Sequence, residues 1–195
     1  MTILDKTGAD LLFREAYTSH AWTDKPISEE LLKQVYDLTK YPPTSFNSQP
    51  GRYVFVKSPD AKKKLAACLM EGNVEQTLAA PVTVIVAHDM KFYNELPRTY
   101  PAFDAKGFFE SMPAAIEPTA VRNGTLGGGY LMMAARAMGL DVGPMSGFDN
   151  AAVDAAFFAG TEWRSNFLIN LGYGDVSKKY PRGLRLDFAE ACKIV

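Results

Sequence analysis

The chain has 195 residues, 47% hydrophobic and 22% charged, with a formal net charge of −1. That balance is ordinary for a soluble globular protein, the length suits one domain over residues 1–195, and near-neutral charge offers nothing to nucleic acid. Two cysteines, Cys68 and Cys192, and two histidines, His20 and His88, are too few for a disulfide scaffold, a zinc site or a Cys–His nucleophile pair.

The opening stretch "MTILDKTGADLLF" carries Asp5, Lys6 and Asp10 where a signal peptide needs an unbroken apolar core. No apolar run approaches the roughly 20 residues that span a bilayer, so a cytoplasmic protein without membrane contact is expected. "TGADLLFREAYTSHAW" reads as a first helix with Leu11, Leu12, Ala16 and Tyr17 facing inward. In "TDKPISEELLKQVYDLTKYPP", Ser28 is an N-cap, Leu31, Leu32, Val35, Tyr36 and Leu38 form the buried stripe, and Pro42 and Pro43 stop the helix.

A stiff polar loop, "YPPTSFNSQP", then runs straight into the strand "RYVFVK". "SPDAKKKLAACLM" is a helix capped by Ser58 or Asp60, with Lys62, Lys63 and Lys64 on a solvated face, and "PVTVIVAHD" is a strand apolar enough to be buried on both sides. Residues 89–113 hold Phe92, Tyr93, Tyr100, Phe103, Phe108 and Phe109 among prolines and charges. This segment is either a lid over a pocket or a satellite hydrophobic cluster packed on the sheet.

Pro118 suits the first turn of a long helix ending near Gly139. Gly127, Gly128 and Gly129 inside it cost about 1 kcal/mol each against alanine, which calls for close approach by another helix or subunit. "DVGPMSGFD" is a short strand and turn, Asp149 caps the next helix, "NFLINLGYGD" is the last core strand, and Asp187 and Glu190 have capping-box spacing. Without strict βαβ alternation, the pattern fits an α+β fold: helices on both faces of a small mixed sheet.

No phosphate-binding loop, nucleophile elbow or paired catalytic acid is present. Neutral hydrogen-bonding loops remain: "TSH" (18–20), "PPTSFNSQP" (42–50), "GN" (72–73) and "GPMSG" (143–147), with the arginines of "PRGLR". Each alone is accounted for as a turn. Together they suit a heterocycle with several carbonyls and ring nitrogens, a cofactor that brings its own reactivity.

In order and spacing these segments resemble the FMN-dependent nitroreductases. "PPTSFNSQPGRYVFV" matches that family's Pro–hydroxyl–small–x–Asn–x–Gln–Pro loop and following strand. "GNVEQTLAAPVTVIVA", "MGLDVGPMSGFD", "INLGYGD" and "PRGLRL" resemble its ring-contact helix, flavin-edge turn, last strand and phosphate-binding tail. The likeness covers nearly the whole chain and is closest to the short subfamily that includes malonic semialdehyde reductase.

The resemblance implies a nitroreductase-like three-layer α/β/α sandwich whose sheet is largely antiparallel, and an intertwined homodimer with FMN at the subunit interface. It puts Tyr17, Thr18, Ser19 and His20 along the phosphate and the pyrimidine edge, and Asn73 and Gln76 at the ring's polar edge. Thr44, Ser45 and Asn47 would come from the partner chain. Pro144, Met145, Ser146 and Gly147 would line the flavin near N5, and Arg182 and Arg185 would hold the phosphate.

Relatives commonly place cations at Ala16 or Tyr17, His20 and Gln76, so a less positive pocket is expected. No side chain is implied as nucleophile or metal ligand. NADH or NADPH would deliver hydride to the flavin in a ping-pong cycle, with a backbone N–H near Ser146 hydrogen-bonding N5. A small-molecule acceptor such as malonic semialdehyde would then be reduced to 3-hydroxypropionate, with Phe92, Tyr93, Phe103 and Phe108 as the lid. The alternatives are a broad nitroaromatic or quinone reductase, or a flavin-binding sensor or carrier that does not turn over.

Overall fold

The computed structural model describes residues 3–195, so the first two residues of the N-terminal stretch lie outside it. Four strands, β1 (Gly51–Val56), β2 (Val82–Asp89), β3 (Asp141–Met145) and β4 (Trp163–Gly172), pair antiparallel in the order β1-β2-β4-β3. The predominantly apolar run of β2 suits a central strand, and it is buried from Val82 to His88. A parallel bridge between Thr18 and Val142 lays the segment before α2 (Glu29–Thr39) beside β3, which makes the arrangement mixed.

Strand alternation sorts the core into two layers. Val82, Val84, Val86, Ile169 and Leu171 pack with Leu32 and Val35 of α2 and with Leu131 and Ala135 of α7 (Ile116–Ala137). On the other face Ile85, Ala87 and Leu168 meet Leu65 of α3 (Pro59–Ala66) and Val153 of α8 (Asn150–Phe157). This is the expected three-layer sandwich.

The predicted caps form. Ser28 Oγ accepts from Leu31 N at 3.1 Å, Ser58 Oγ from Ala61 N at 3.2 Å, and Asp149 Oδ1 from Ala152 N at 3.0 Å. The choice between Ser58 and Asp60 therefore falls on Ser58. Asp187 and Glu190 close a capping box before the short helix Phe188–Ala191.

Three expectations are corrected and two are narrowed. The first helix is only Lys6–Ala9, continued by a π turn over Asp10–Arg14 that leaves Leu11 exposed and Leu12, Ala16 and Tyr17 half-buried. On α2 the buried stripe runs Leu32, Val35, Thr39 at helical spacing, and Tyr36 and Leu38 flank it, exposed. Thr39 joins the stripe because its hydroxyl donates to Val35 O at 2.8 Å.

Lys62 is buried rather than solvated. Its ammonium donates to Thr77 O at 2.7 Å and to Ala80 O, the open carbonyl end of α4 (Glu71–Ala79), where a cation is favoured. Within the chain, Gly127 and Gly128 of α7 face the sheet and not a second helix. A Cβ on Gly128 would lie 2.5 Å from Phe167 Cζ, and one on Gly127 would lie 2.3 Å from Tyr53 Oη. Nothing in the structure explains Gly129, which has no neighbour within 4 Å.

Finally, the aromatic segment folds as a turn over Phe92–Glu95 and two short helices, α5 (Leu96–Thr99) and α6 (Ala105–Ser111). Phe92, Tyr93, Leu96, Ala105 and Phe109 form a cluster of their own, closed by Ala120 of α7. Packing of this kind is the satellite-cluster alternative.

Candidate functional site

Gly72 and Asn73, read among the polar loops, lie in the first turn of α4, so Asn73 and Gln76 share one face of that helix. The bridge of Thr18 to Val142, with Ser19 N donating to Val142 O at 2.9 Å, brings His20 beside them. A hydrogen-bonded chain results. Gln76 Oε1 is 3.0 Å from His20 Nδ1, Gln76 Nε2 donates to Asn73 Oδ1 at 2.7 Å, and Asn73 Nδ2 donates to Gly147 O at 2.9 Å.

Its direction follows from its end. A carbonyl only accepts, so Asn73 must turn its NH₂ to Gly147 and its oxygen to Gln76, which makes His20 Nδ1 the donor. Gly147 permits this approach, since a Cβ there would sit 2.4 Å from Asn73 Nδ2. Pro144 and Met145 arrive on β3, Met145 Sδ accepts from Thr77 Oγ1 at 3.6 Å, and Ser146 is exposed. The structure thus joins "TSH", "GN" and "GPMSG" around one set of neutral donors and acceptors.

Beside His20 opens a cleft of about 440 Å³ whose wall carries Tyr17, Thr18, Arg136, Lys179, Arg182 and Arg185 and no carboxylate. Arg182 Nη2 donates to Arg14 O and Ala16 O, each at 2.6 Å, and Arg185 Nη1 to Gly183 O and Leu184 O at 2.9 and 3.1 Å. Lys179 Nζ lies 4.3 Å from the Tyr17 ring centroid. Burial pushes Arg136 below its usual pKa; Asp141 opposes the shift and Arg182 adds to it.

Arg136 and Lys179 were missed in the sequence. Arg136 reads there as an ordinary cation at a helix C-terminus, and Lys179 as part of a solvated basic tail. The side chains of Tyr17 and Ser19 also hold unspent capacity. Their buried hydroxyl oxygens have no partner, and both crowd Gly174, where a Cβ would lie 2.7 and 2.4 Å from them. The arrangement suits a ligand with a heteroatom-rich edge at His20, Gln76 and Asn73 and an anionic group in the cleft.

Thr44, Ser45 and Asn47 are elsewhere. Among the described residues no hydrogen bond joins their loop to segments 17–20 or 144–147. Ser45 N donates to Asn123 Oδ1 at 2.9 Å, Asn47 Nδ2 to Thr99 O at 2.9 Å, and Gln49 N to Thr44 Oγ1 at 3.1 Å. Thr44, Ser48, Gln49, Arg98 and Asn123 line a separate hollow of about 520 Å³.

The loop is strained: Phe46, Asn47 and Gln49 have φ of 53°, 49° and 42°. Such conformations cost about 1–3 kcal/mol each and persist only where the surroundings enforce them. Here the enforcement is the Phe46 ring, with centroids 5.6 Å from Tyr100, 5.9 Å from Phe108 and 6.0 Å from Phe109. Phe92 and Tyr93 are buried in the same cluster, so as placed they support the loop rather than face a pocket. Of the four expected lid residues, Phe103 is half-exposed, stacked on Phe46, and Phe108 is partly buried.

The Nitroreductase family matches the chain over residues 14–173. The chain belongs to the nitroreductase family. It is 56% identical over 194 residues to a Burkholderia lata protein provisionally named NADH dehydrogenase/NAD(P)H nitroreductase, with 100% of both chains covered. A solved nitroreductase-type structure from Bacillus subtilis superposes with a TM-score of 0.89 at 23% identity, covering 98% of this chain and 100% of that one. Another, from Exiguobacterium sibiricum and described as a complex with FMN, gives 0.85 at 23% identity over 100% and 99%. Among the described residues no helix of this nitroreductase-family chain is long and apolar enough to cross a membrane.

Proposed function

We propose that this nitroreductase-family chain is an FMN-dependent NAD(P)H oxidoreductase that reduces a small organic acceptor. One observation carries the reading: a neutral hydrogen-bonding edge and a cation-lined cleft adjoin in one chain, with His20 belonging to both. The donor set fits the cofactor, since an isoalloxazine offers carbonyls and ring nitrogens and its ribityl chain ends in a phosphate. When bound, FMN supplies hydride transfer from NAD(P)H to the acceptor.

The protein's part is to bind and orient. His20, Gln76 and Asn73 hold the polar edge of the ring, and because they are bonded to one another they lose little freedom on binding. Pro144, Met145, Ser146 and Gly147 would present backbone and thioether to the ring, with a backbone N–H near Ser146 to hydrogen-bond N5. Tyr17, Thr18 and Ser19 would lie with His20 along the phosphate and the pyrimidine edge, and the tail with Arg182 and Arg185 would close over the phosphate. No side chain acts as nucleophile.

Thr44, Ser45 and Asn47 reach the site of a second copy in a homodimer. Exposed Leu11, Phe13, Tyr36, Leu38, Leu126 and Tyr130 support this, because they are large apolar groups that a partner would cover. The acceptor we favour is a small aldehyde, malonic semialdehyde reduced to 3-hydroxypropionate, on the likeness of "GPMSGFD", "INLGYGD" and "FYNELP" to that subfamily. A second reading, flat quinone or nitroarene acceptors, is favoured by the half-exposed Phe103 stacked on Phe46 at 6.0 Å.

Purified protein should be yellow, release FMN on denaturation and oxidise NADH or NADPH when malonic semialdehyde is added. Colourless protein that ignores added FMN overturns the reading. Turnover with menadione but not with the aldehyde moves the acceptor to the second reading.

A further inference from the structure

The resemblance assigns the phosphate to Arg182 and Arg185, and the geometry points elsewhere. We infer that Arg136, in the last turn of α7, is the principal ligand of the cofactor's phosphate, and that Arg182 is the strap that closes the tail over it. This rests on the FMN reading and deepens it.

Donor accounting and rigidity together carry the assignment. A guanidinium has five N–H groups in a rigid fork, and those already spent on backbone are not available to a ligand. Arg182 commits Nη2 to the carbonyls of Arg14 and Ala16, both at 2.6 Å, and those two bonds fold the tail onto the N-terminal segment. Arg185 turns Nη1 back onto Gly183 and Leu184, its own neighbours. Arg136 has a single long bond, Nη1 to Leu12 O at 3.3 Å, so among the described residues it keeps four N–H groups, against three on Arg182 and three on Arg185.

Rigidity and charge agree with the donors. Arg136 is half-buried on a 22-residue helix, whereas Arg182 and Arg185 sit on an exposed tail, so Arg136 loses less freedom on binding. Asp141, whose charge acts on Arg136, already accepts from Gly174 N at 2.8 Å, and Asp10 is paired with Arg14 at 2.5 Å. The cleft therefore gathers Arg136, Lys179, Arg182 and Arg185 with no carboxylate on its wall. A phosphate monoester, with two charges and three acceptor oxygens, relieves that crowding and matches the fork.

The bland alternative is that Arg136 only complements the carbonyl end of α7. FMN against riboflavin separates the two, because the ligands differ by the phosphate alone. Flavin binding would be measured by fluorescence for wild type, Arg136→Met, Arg136→Lys and Arg182→Met, with thermal unfolding of each as a check on folding. Arg136→Met should weaken FMN about ten-fold or more, the loss expected for a charge-assisted hydrogen bond, and shift riboflavin by less than about two-fold. Arg136→Lys should fall between, and Arg182→Met should weaken both flavins alike.

An Arg136→Met protein that keeps the wild-type preference for FMN, while Arg182→Met erases it, overturns the inference. So does a changed NADPH-to-NADH ratio of KM with the FMN preference intact, which would give the cluster to the nicotinamide donor's phosphate. Wild type that binds neither flavin refutes the proposed function itself.

Discussion

Two polar regions, the paired segments around 17–20 and 144–147 on one side and the loop 42–50 on the other, are held in place by different means. The first is knitted by its own polar groups, from His20 through Gln76 and Asn73 to Gly147. The second keeps three non-glycine residues at positive φ, and its retention depends on Phe46 lodged among Tyr100, Phe108 and Phe109. That chain of side-chain bonds holds the segments to one another directly. A strained loop keeps its shape only while its anchor holds. The aromatic segment is on this account the loop's foundation.

The sharpest way to break the comparison is Phe46→Ala. It deletes the anchor and keeps the strain, so it should cost about 2–4 kcal/mol in chemical unfolding, near the range for a core phenylalanine. Limited proteolysis should then cut within 42–50 and spare 17–20 and 144–147. Cleavage spread evenly over both would show that the halves are not separately held.

Asn73→Ala attacks the other half at its centre. It leaves the Gly147 carbonyl and the Gln76 amide unpaired, for a cost of about 1–2 kcal/mol. Flavin binding should weaken while protease resistance of 42–50 is unchanged; a loss of that resistance would tie the two halves together.

Lys62→Met is the smallest change near neutrality and is read through pH. Burial lowers Lys62 from 10.5 to about 8. Between those pH values the unfolded chain still holds a proton that the folded one has released, so the Lys62 contribution makes stability rise with pH across this window and stay flat below it. Urea midpoints from about pH 7.5 to 10 should show that upward component in wild type and lose it in Lys62→Met. Equal slopes in the two would place the ammonium in solvent and remove it as a clamp on the end of α4.

Local physics made much of the architecture readable. Ser28, Ser58 and Asp149 cap the helices they precede because a short side-chain oxygen reaches an N–H only three residues away. β2 was identifiable because a strand buried on both faces must be predominantly apolar. Candidate site segments were recognisable as a spaced series of polar loops, and the spacing survives even though "GN" proved helical.

What the sequence determined by itself is therefore the sheet strands and the longer helices, their caps, the two-faced core and the family, since each depends on neighbours along the chain or on a pattern carried whole. Tertiary structure alone decided that Lys62 is buried, that Tyr53 and Phe167 occupy the space left by Gly127 and Gly128, that Phe46 anchors a strained loop, and that Arg136 enters the cleft. Those outcomes depend on which atoms from distant segments compete for one space or one carbonyl, and no local window of the chain contains both competitors.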